Sequence, residues 1–120
     1  MHQKCILIYD DDLEILNVCK AILDYRGYRV ETLANCENIV EDINNLKPDI
    51  ILMDLWIPKI GGEKAISLMQ ENEATKNVPI IIFSANDEIE LISKRINASG
   101  YLKKPFDIQD FRELIDAELS

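Results

Sequence analysis

Two spacings of hydrophobic residues alternate along this chain. The runs Cys5-Ile6-Leu7-Ile8-Tyr9, Ile50-Ile51-Leu52-Met53 and Pro79-Ile80-Ile81-Ile82-Phe83 are almost wholly apolar, and after each comes a longer stretch in which apolar residues return every three or four positions. An unbroken apolar run suits a strand covered on both faces, and the wider spacing suits a helix with one apolar face. Their regular exchange predicts βα units around a parallel sheet. Tyr28-Arg29-Val30-Glu31-Thr32-Leu33 alternates instead, as an edge or half-covered strand does, and Gly100-Tyr101-Leu102 supplies a short fifth strand.

Leu13, Leu16, Cys19 and Leu23 place a first helix between an N-cap at Asp11 or Asp12 and a stop at Gly27. Asn35 is the expected cap of a second helix running to about Leu46, beyond which Pro48 bars continuation. A third opens at Gly61-Gly62 and carries Ala65, Ile66, Leu68 and Met69. A fourth, over about 87–97, has apolar residues only at Ile89, Leu91, Ile92 and Ile96 and is otherwise highly charged, so a loosely held helix is expected. Asp107 caps a fifth, with Ile108, Phe111, Leu114, Ile115 and Leu119 on one face.

With 120 residues, 48% of them hydrophobic and 29% charged, the chain has the size and composition of one compact domain over residues 1–120. Its formal charge of −9 opposes both a nucleic-acid backbone and an anionic membrane, so neither is an expected direct partner. No apolar run approaches the roughly 20 residues of a membrane span, and Met1-His2-Gln3-Lys4-Cys5 lacks the apolar stretch of a secretory signal, so a cytoplasmic location is expected. Cys5, Cys19 and Cys36 are odd in number and none is spaced C-x-x-C, which argues against a disulfide framework or a zinc site and for small buried residues. Gly27, Gly61, Gly62 and Gly100 cannot build a phosphate-binding loop or a dinucleotide fingerprint. His2, beside the terminus, is given no role.

Candidate chemistry comes from position. In an open parallel sheet the ligand site lies outside the carboxyl ends of the strands. Asp10-Asp11-Asp12 follow the first run, Asp54 the third, Ser84 the fourth, and Lys103-Lys104-Pro105 the fifth. Carboxylates brought together there raise one another's pKa unless a cation sits among them, and a hard divalent ion such as Mg²⁺ is the natural partner. A carboxylate in such a setting can also attack phosphorus and form an aspartyl phosphate, with a metal and a lysine neutralising the phosphoryl oxygens.

The segments Ile6–Asp12, Ile50–Gly62, Pro79–Ala85 and Gly100–Phe106 together resemble the receiver domain of two-component response regulators, and the resemblance covers essentially the whole chain. It implies a flavodoxin-like (βα)5 fold, a five-stranded parallel sheet of order 2-1-3-4-5. It implies Asp54 as phosphoacceptor, and Asp10, Asp11, Asp54 and the Trp56 carbonyl around Mg²⁺, with Mn²⁺ as a substitute. Ser84 becomes the switch hydroxyl, Lys104 the phosphate-binding lysine, Tyr101 the switch aromatic and Lys103 a bystander. The bond between Lys104 and Pro105 is cis in the family's usual pattern. Trp56 and Asn86 stand at variable positions that can gate access of water. The implied protein is a signalling phosphoacceptor that catalyses only its own phosphorylation and dephosphorylation. Its donor is a sensor histidine kinase or histidine phosphotransfer protein, its output face is formed by helix four, strand five and helix five, and it is a monomer or a phosphorylation-dependent dimer. With no residues after helix five for an output domain, either a stand-alone receiver or one excised from a larger protein is expected.

A second reading takes Asp10-x-Asp12 as the nucleophile and acid of a small phosphohydrolase similar to the haloacid dehalogenases. Leu13 and Glu14 do not continue that motif, and a late acidic pair is missing. A flavodoxin-like FMN carrier is disfavoured because three aspartates would repel the cofactor's phosphate.

Overall fold

A computed structural model describes residues 3–120; Met1 and His2 lie outside the described residues. Five strands and five helices alternate: β1 Cys5–Tyr9, α1 Leu13–Tyr25, β2 Arg29–Leu33, α2 Ile39–Leu46, β3 Ile50–Asp54, α3 Gly62–Gln70, β4 Ile80–Ser84, α4 Ile89–Arg95, β5 Gly100–Lys103 and α5 Ile108–Leu119. All strand pairs are parallel, in the order β2-β1-β3-β4-β5. This is the flavodoxin-like arrangement expected from the exchange of periods, with the alternating strand β2 at one edge.

Successive residues of the central strands feed two cores. Leu7, Tyr9, Ile51, Met53, Ile80 and Ile82 meet Ile39 and Ile43 of α2, Ala65, Ile66 and Met69 of α3 and Ile89 of α4. Ile6, Ile8, Ile50, Leu52, Ile81 and Phe83 meet Leu16, Cys19 and Leu23 of α1 and Phe111 and Ile115 of α5. A period of two across a sheet covered on both sides explains why β1, β3 and β4 read as unbroken apolar runs. The three cysteines are free and buried within these layers, as small apolar residues would be.

Several boundaries differ from expectation. Asn35 does not cap α2: its side chain accepts from the Glu37 N–H in a turn, and the helix starts four residues later, at Ile39, whose side chain enters the core. The end of α2 is made by Lys47 in the left-handed conformation before Pro48 is reached. α4 is shorter than the expected 87–97, and Ile89 is its one buried large apolar side chain. Asp12, rather than Asp11, caps α1, and Asp107 caps α5 as expected. Strands β3, β4 and β5 each run one residue past their apolar runs, through Asp54, Ser84 and Lys103, because parallel main-chain pairing continues into polar residues.

Candidate functional site

The carboxyl ends of β1, β3, β4 and β5 meet at one rim of the sheet, at the place where the strand order reverses between β1 and β3. Asp10 leaves β1 fully buried, and Asp54 closes β3 almost fully buried. Asp11 faces solvent. One carboxylate oxygen from each of the three lies within 4.8 Å of the others.

Main-chain amides and one ammonium hold this cluster. The Asp12 N–H donates to Asp10 Oδ1 at 2.9 Å, and the Trp56 N–H donates to Asp54 Oδ1 at 3.2 Å. Lys104 Nζ bridges the buried acids, 2.9 Å from Asp10 Oδ2 and 3.5 Å from Asp54 Oδ1. β5 ends at Lys103, and Lys104, the next residue, turns inward to reach them; its bond to Pro105 is cis. Lys103 points the other way and pairs with Asp87 in the loop before α4. The lysine taken as a bystander is thus outside the cluster but ties β5 to that loop.

Burial, and next the nearby Asp10 charge, push the Asp54 carboxyl above its ordinary range, against the lowering effects of Lys104 and the Trp56 N–H. Burial alone would lower the Lys104 ammonium, but its hydrogen bond to Asp10 and the charges of Asp54 and Asp10 prevail and hold it above its usual value. Three carboxylates and one ammonium leave the cluster with a net −2, matched by one divalent cation. Three hard oxygen donors, one of them on the solvent side, suit Mg²⁺, which keeps several waters and takes only a few protein ligands. The donor set therefore fits the metal.

Ser84 ends β4 fully buried, and its Oγ accepts the Asn86 N–H at 3.0 Å. The Asn86 side chain in turn accepts the Glu88 N–H at 2.8 Å, so the hydroxyl is linked to the lead-in of α4. A small opening beside it, about 110 Å³, is lined by Leu55, Trp56, Glu63, Ser84, Asn86 and Ile92. Trp56 is 74% exposed and Tyr101 38% exposed, so neither aromatic is committed to the core.

The structure separates Asp10 from Asp12. The Asp12 carboxylate is spent on the Glu14 and Ile15 amides at the head of α1 and faces solvent, while Asp11 joins the cluster. Nothing supports the dehalogenase-like reading. Two contributors escaped the sequence reading: the Asp87–Lys103 ion pair, and a 2.8 Å ion pair from Glu63 of α3 to Arg95 of α4. Both depend on long-range placement, for which the chain carries no local signal.

Among curated proteins, the chain is 30% identical over 117 residues to the sporulation initiation phosphotransferase F of Bacillus subtilis, covering 96% of this chain and 92% of that one. It spans about half the length of several other relatives, which are transcriptional regulators. Among solved structures, a response regulator receiver domain protein from Methanospirillum hungatei superposes with a TM-score of 0.86 at 28% identity, over 98% of this chain and 94% of that one. The receiver domain of a sensor histidine kinase from Pseudomonas aeruginosa has the same TM-score and identity, covers 98% of each chain, and holds a magnesium ion in its active-site cleft. No helix among the described residues is long and apolar enough to cross a membrane. Residues 6–116 match the family model of the response regulator receiver domain, and with the sheet order and the acidic rim already in place, the chain belongs to that family.

Proposed function

We propose that residues 1–120 act as one phosphoacceptor receiver, in which Asp54 takes a phosphoryl group from the phosphohistidine of a sensor kinase or phosphotransfer protein. The observation that carries this reading is the approach of the Asp10, Asp11 and Asp54 carboxylates within 4.8 Å, with Lys104 bridging the two buried ones. Asp10, Asp11, Asp54 and the Trp56 carbonyl would hold Mg²⁺. When bound, that ion supplies charge neutralisation and orientation to the phosphoryl oxygens.

The chain's own groups do the remainder. Asp54 attacks phosphorus in line while the histidine nitrogen leaves. Burial and the nearby Asp10 charge raise the Asp54 carboxyl, and a cation at the cluster would favour the ionised form that the attack needs. Lys104 exchanges part of its contact with Asp54 for a phosphoryl oxygen and keeps its bond to Asp10. Ser84 supplies a hydroxyl donor. The added charge of about −1.5 to −2 draws that hydroxyl inward. Because Ser84 Oγ also holds the Asn86 N–H, its movement is felt at the start of α4. Tyr101 then turns toward the vacated space, and the α4-β5-α5 face changes its affinity for a protein partner. The chain has no second substrate in this scheme and is a signalling phosphoacceptor, not an enzyme acting on others.

Incubation with acetyl phosphate and Mg²⁺ tests the reading. An acid-stable, hydroxylamine-labile adduct is expected on Asp54 and is absent from Asp54→Asn. An adduct on Asp10, or unchanged labelling of the variant, refutes the assignment.

A further inference from the structure

Gly62, the first residue of α3, is buried, and its φ lies outside the left-handed region, so its backbone does not call for glycine. What it lacks is room. A Cβ there would lie 2.6 Å from the Asp54 carbonyl oxygen, 2.9 Å from Leu55 Cα and 3.0 Å from Met53 Cγ. Two of these three atoms are main chain, so no rotamer change relieves the clash. Gly61 is the opposite case: its φ of 78° and ψ of 155° fall where only glycine is comfortable, yet a Cβ there would meet nothing within 4 Å.

We propose that Gly62 is a positioning residue for Asp54: its missing side chain sets how closely α3 approaches the end of β3, and so holds the Asp54 carboxylate in register with Asp10 and Lys104. The Gly62 N–H donates to the Leu55 carbonyl at 3.3 Å, which closes the loop between β3 and α3 against the strand end. The same loop presents the Trp56 N–H to Asp54 Oδ1. Lys104 follows β5, which does not pair with β3, so a displacement of the β3 end is not passed to it directly. To reach ordinary van der Waals contact at 3.4 Å, a methyl group must push the Asp54 carbonyl by about 0.8 Å. Constellations of this kind tolerate about 0.5 Å, and misplacement by 1 Å can cost about a hundredfold in rate.

The inference rests on the phosphoacceptor reading, and the test keeps the two apart. Mg²⁺ affinity is measured for wild type, Gly62→Ala and Gly61→Ala by Trp56 fluorescence with calorimetry as a check, beside thermal unfolding without metal. Both variants are expected to lose stability. Only Gly62→Ala is expected to bind Mg²⁺ more weakly, by about tenfold or more, with slower labelling by acetyl phosphate. Wild-type affinity in Gly62→Ala, or equal losses in the two variants, overturns the positioning role. Absence of Mg²⁺ binding by wild type overturns the site reading and this role with it. If Gly62→Ala is unfolded in buffer, the titrations are run in trimethylamine N-oxide, which favours compact states. If it stays unfolded there while Gly61→Ala folds, Gly62 serves folding rather than the site, and the proposal falls.

Discussion

Replacing Asp54 with asparagine removes a charge from the centre of the acidic cluster and changes little else. The amide keeps an oxygen that can accept from the Trp56 N–H and from Lys104, and Lys104 keeps its 2.9 Å contact with Asp10. With an effective dielectric constant near 20, Lys104 at 3.5 Å attracts ionised Asp54 by about 5 kcal/mol, and Asp10 within 4.8 Å repels it by about 3.5 kcal/mol. Asp11 faces water, where its repulsion falls to about 1 kcal/mol. Attraction and repulsion nearly cancel. What remains is the desolvation of a carboxylate whose side chain is 7% exposed, on the order of 1–3 kcal/mol after its hydrogen bonds are counted. Asp54→Asn is therefore expected to stabilise the metal-free protein by about 2 kcal/mol, or roughly 8 °C in Tm for a chain of this length.

Urea and thermal unfolding in EDTA measure this directly. Because folding raises the Asp54 pKa, its contribution to stability is fully present below its unfolded value of 3.8 and is lost as pH rises through the folded value. The advantage of the asparagine variant is thus absent near pH 3 and grows as pH rises from 3.8 through the folded value. Saturating Mg²⁺ narrows or reverses it, since a ligand at a hundred times its Kd stabilises wild type by about 2.7 kcal/mol and gains less from a cluster that has lost a carboxylate. An asparagine variant less stable than wild type in EDTA at pH 7, or a difference independent of pH, refutes the reasoning.

Lys104→Met leaves two buried carboxylates without their cation and is expected to cost about 3–5 kcal/mol without metal. Adding Asp54→Asn recovers part of that loss, and strictly additive effects in a double-mutant cycle refute the coupling. The thiols of Cys19 and Cys36, pushed by burial to about 12 and about 11, are expected to stay unreactive toward a disulfide reagent at pH 8 until the chain unfolds. Rapid modification in native buffer is the contrary result. α4 is bracketed by the exposed Asp87–Lys103 and Glu63–Arg95 pairs and has one large buried anchor, so amide exchange in 89–95 is expected to quicken with added salt more than in α3. Equal salt dependence of the two helices would dismiss these pairs as restraints.

The strands were legible because a covered parallel sheet demands apolar residues on both faces, and few alternatives accommodate Ile50-Ile51-Leu52-Met53 or Ile80-Ile81-Ile82-Phe83. The site was legible for a related reason: a charge directly after such a run must lie at the strand's end. Helix starts were harder to read. Asn35 has the chemistry of a cap, but α2 begins only where Ile39 can enter the core, so packing overrode local preference. Lys103 and Lys104 are the same residue type one position apart, and only the turn after β5 sends one to Asp10 and the other to Asp87. Gly61-Gly62 reads as a helix opening, yet one glycine answers a backbone angle and the other a neighbouring carbonyl.

The acid excess of the chain divides along the same line. Of the formal −9, the four groups of the cluster carry −2 and the remaining −7 is distributed elsewhere. An exposed acid can be changed singly at small cost, because water screens its neighbours. Asp54 and Lys104 share a desolvated space with Asp10, so the ionisation of Asp54 and of Lys104 responds to the charges beside them. On the proposed function, Mg²⁺ or a phosphoryl group arriving there would change charge where screening is weakest. Ser84, through Asn86, and Lys103, through Asp87, tie the neighbouring strand ends to the loop that leads into α4, the helix with the thinnest apolar anchorage. On the proposed function, a local change in charge of one or two units would compete with what holds α4, whereas each of the other helices has two or more large side chains in the core.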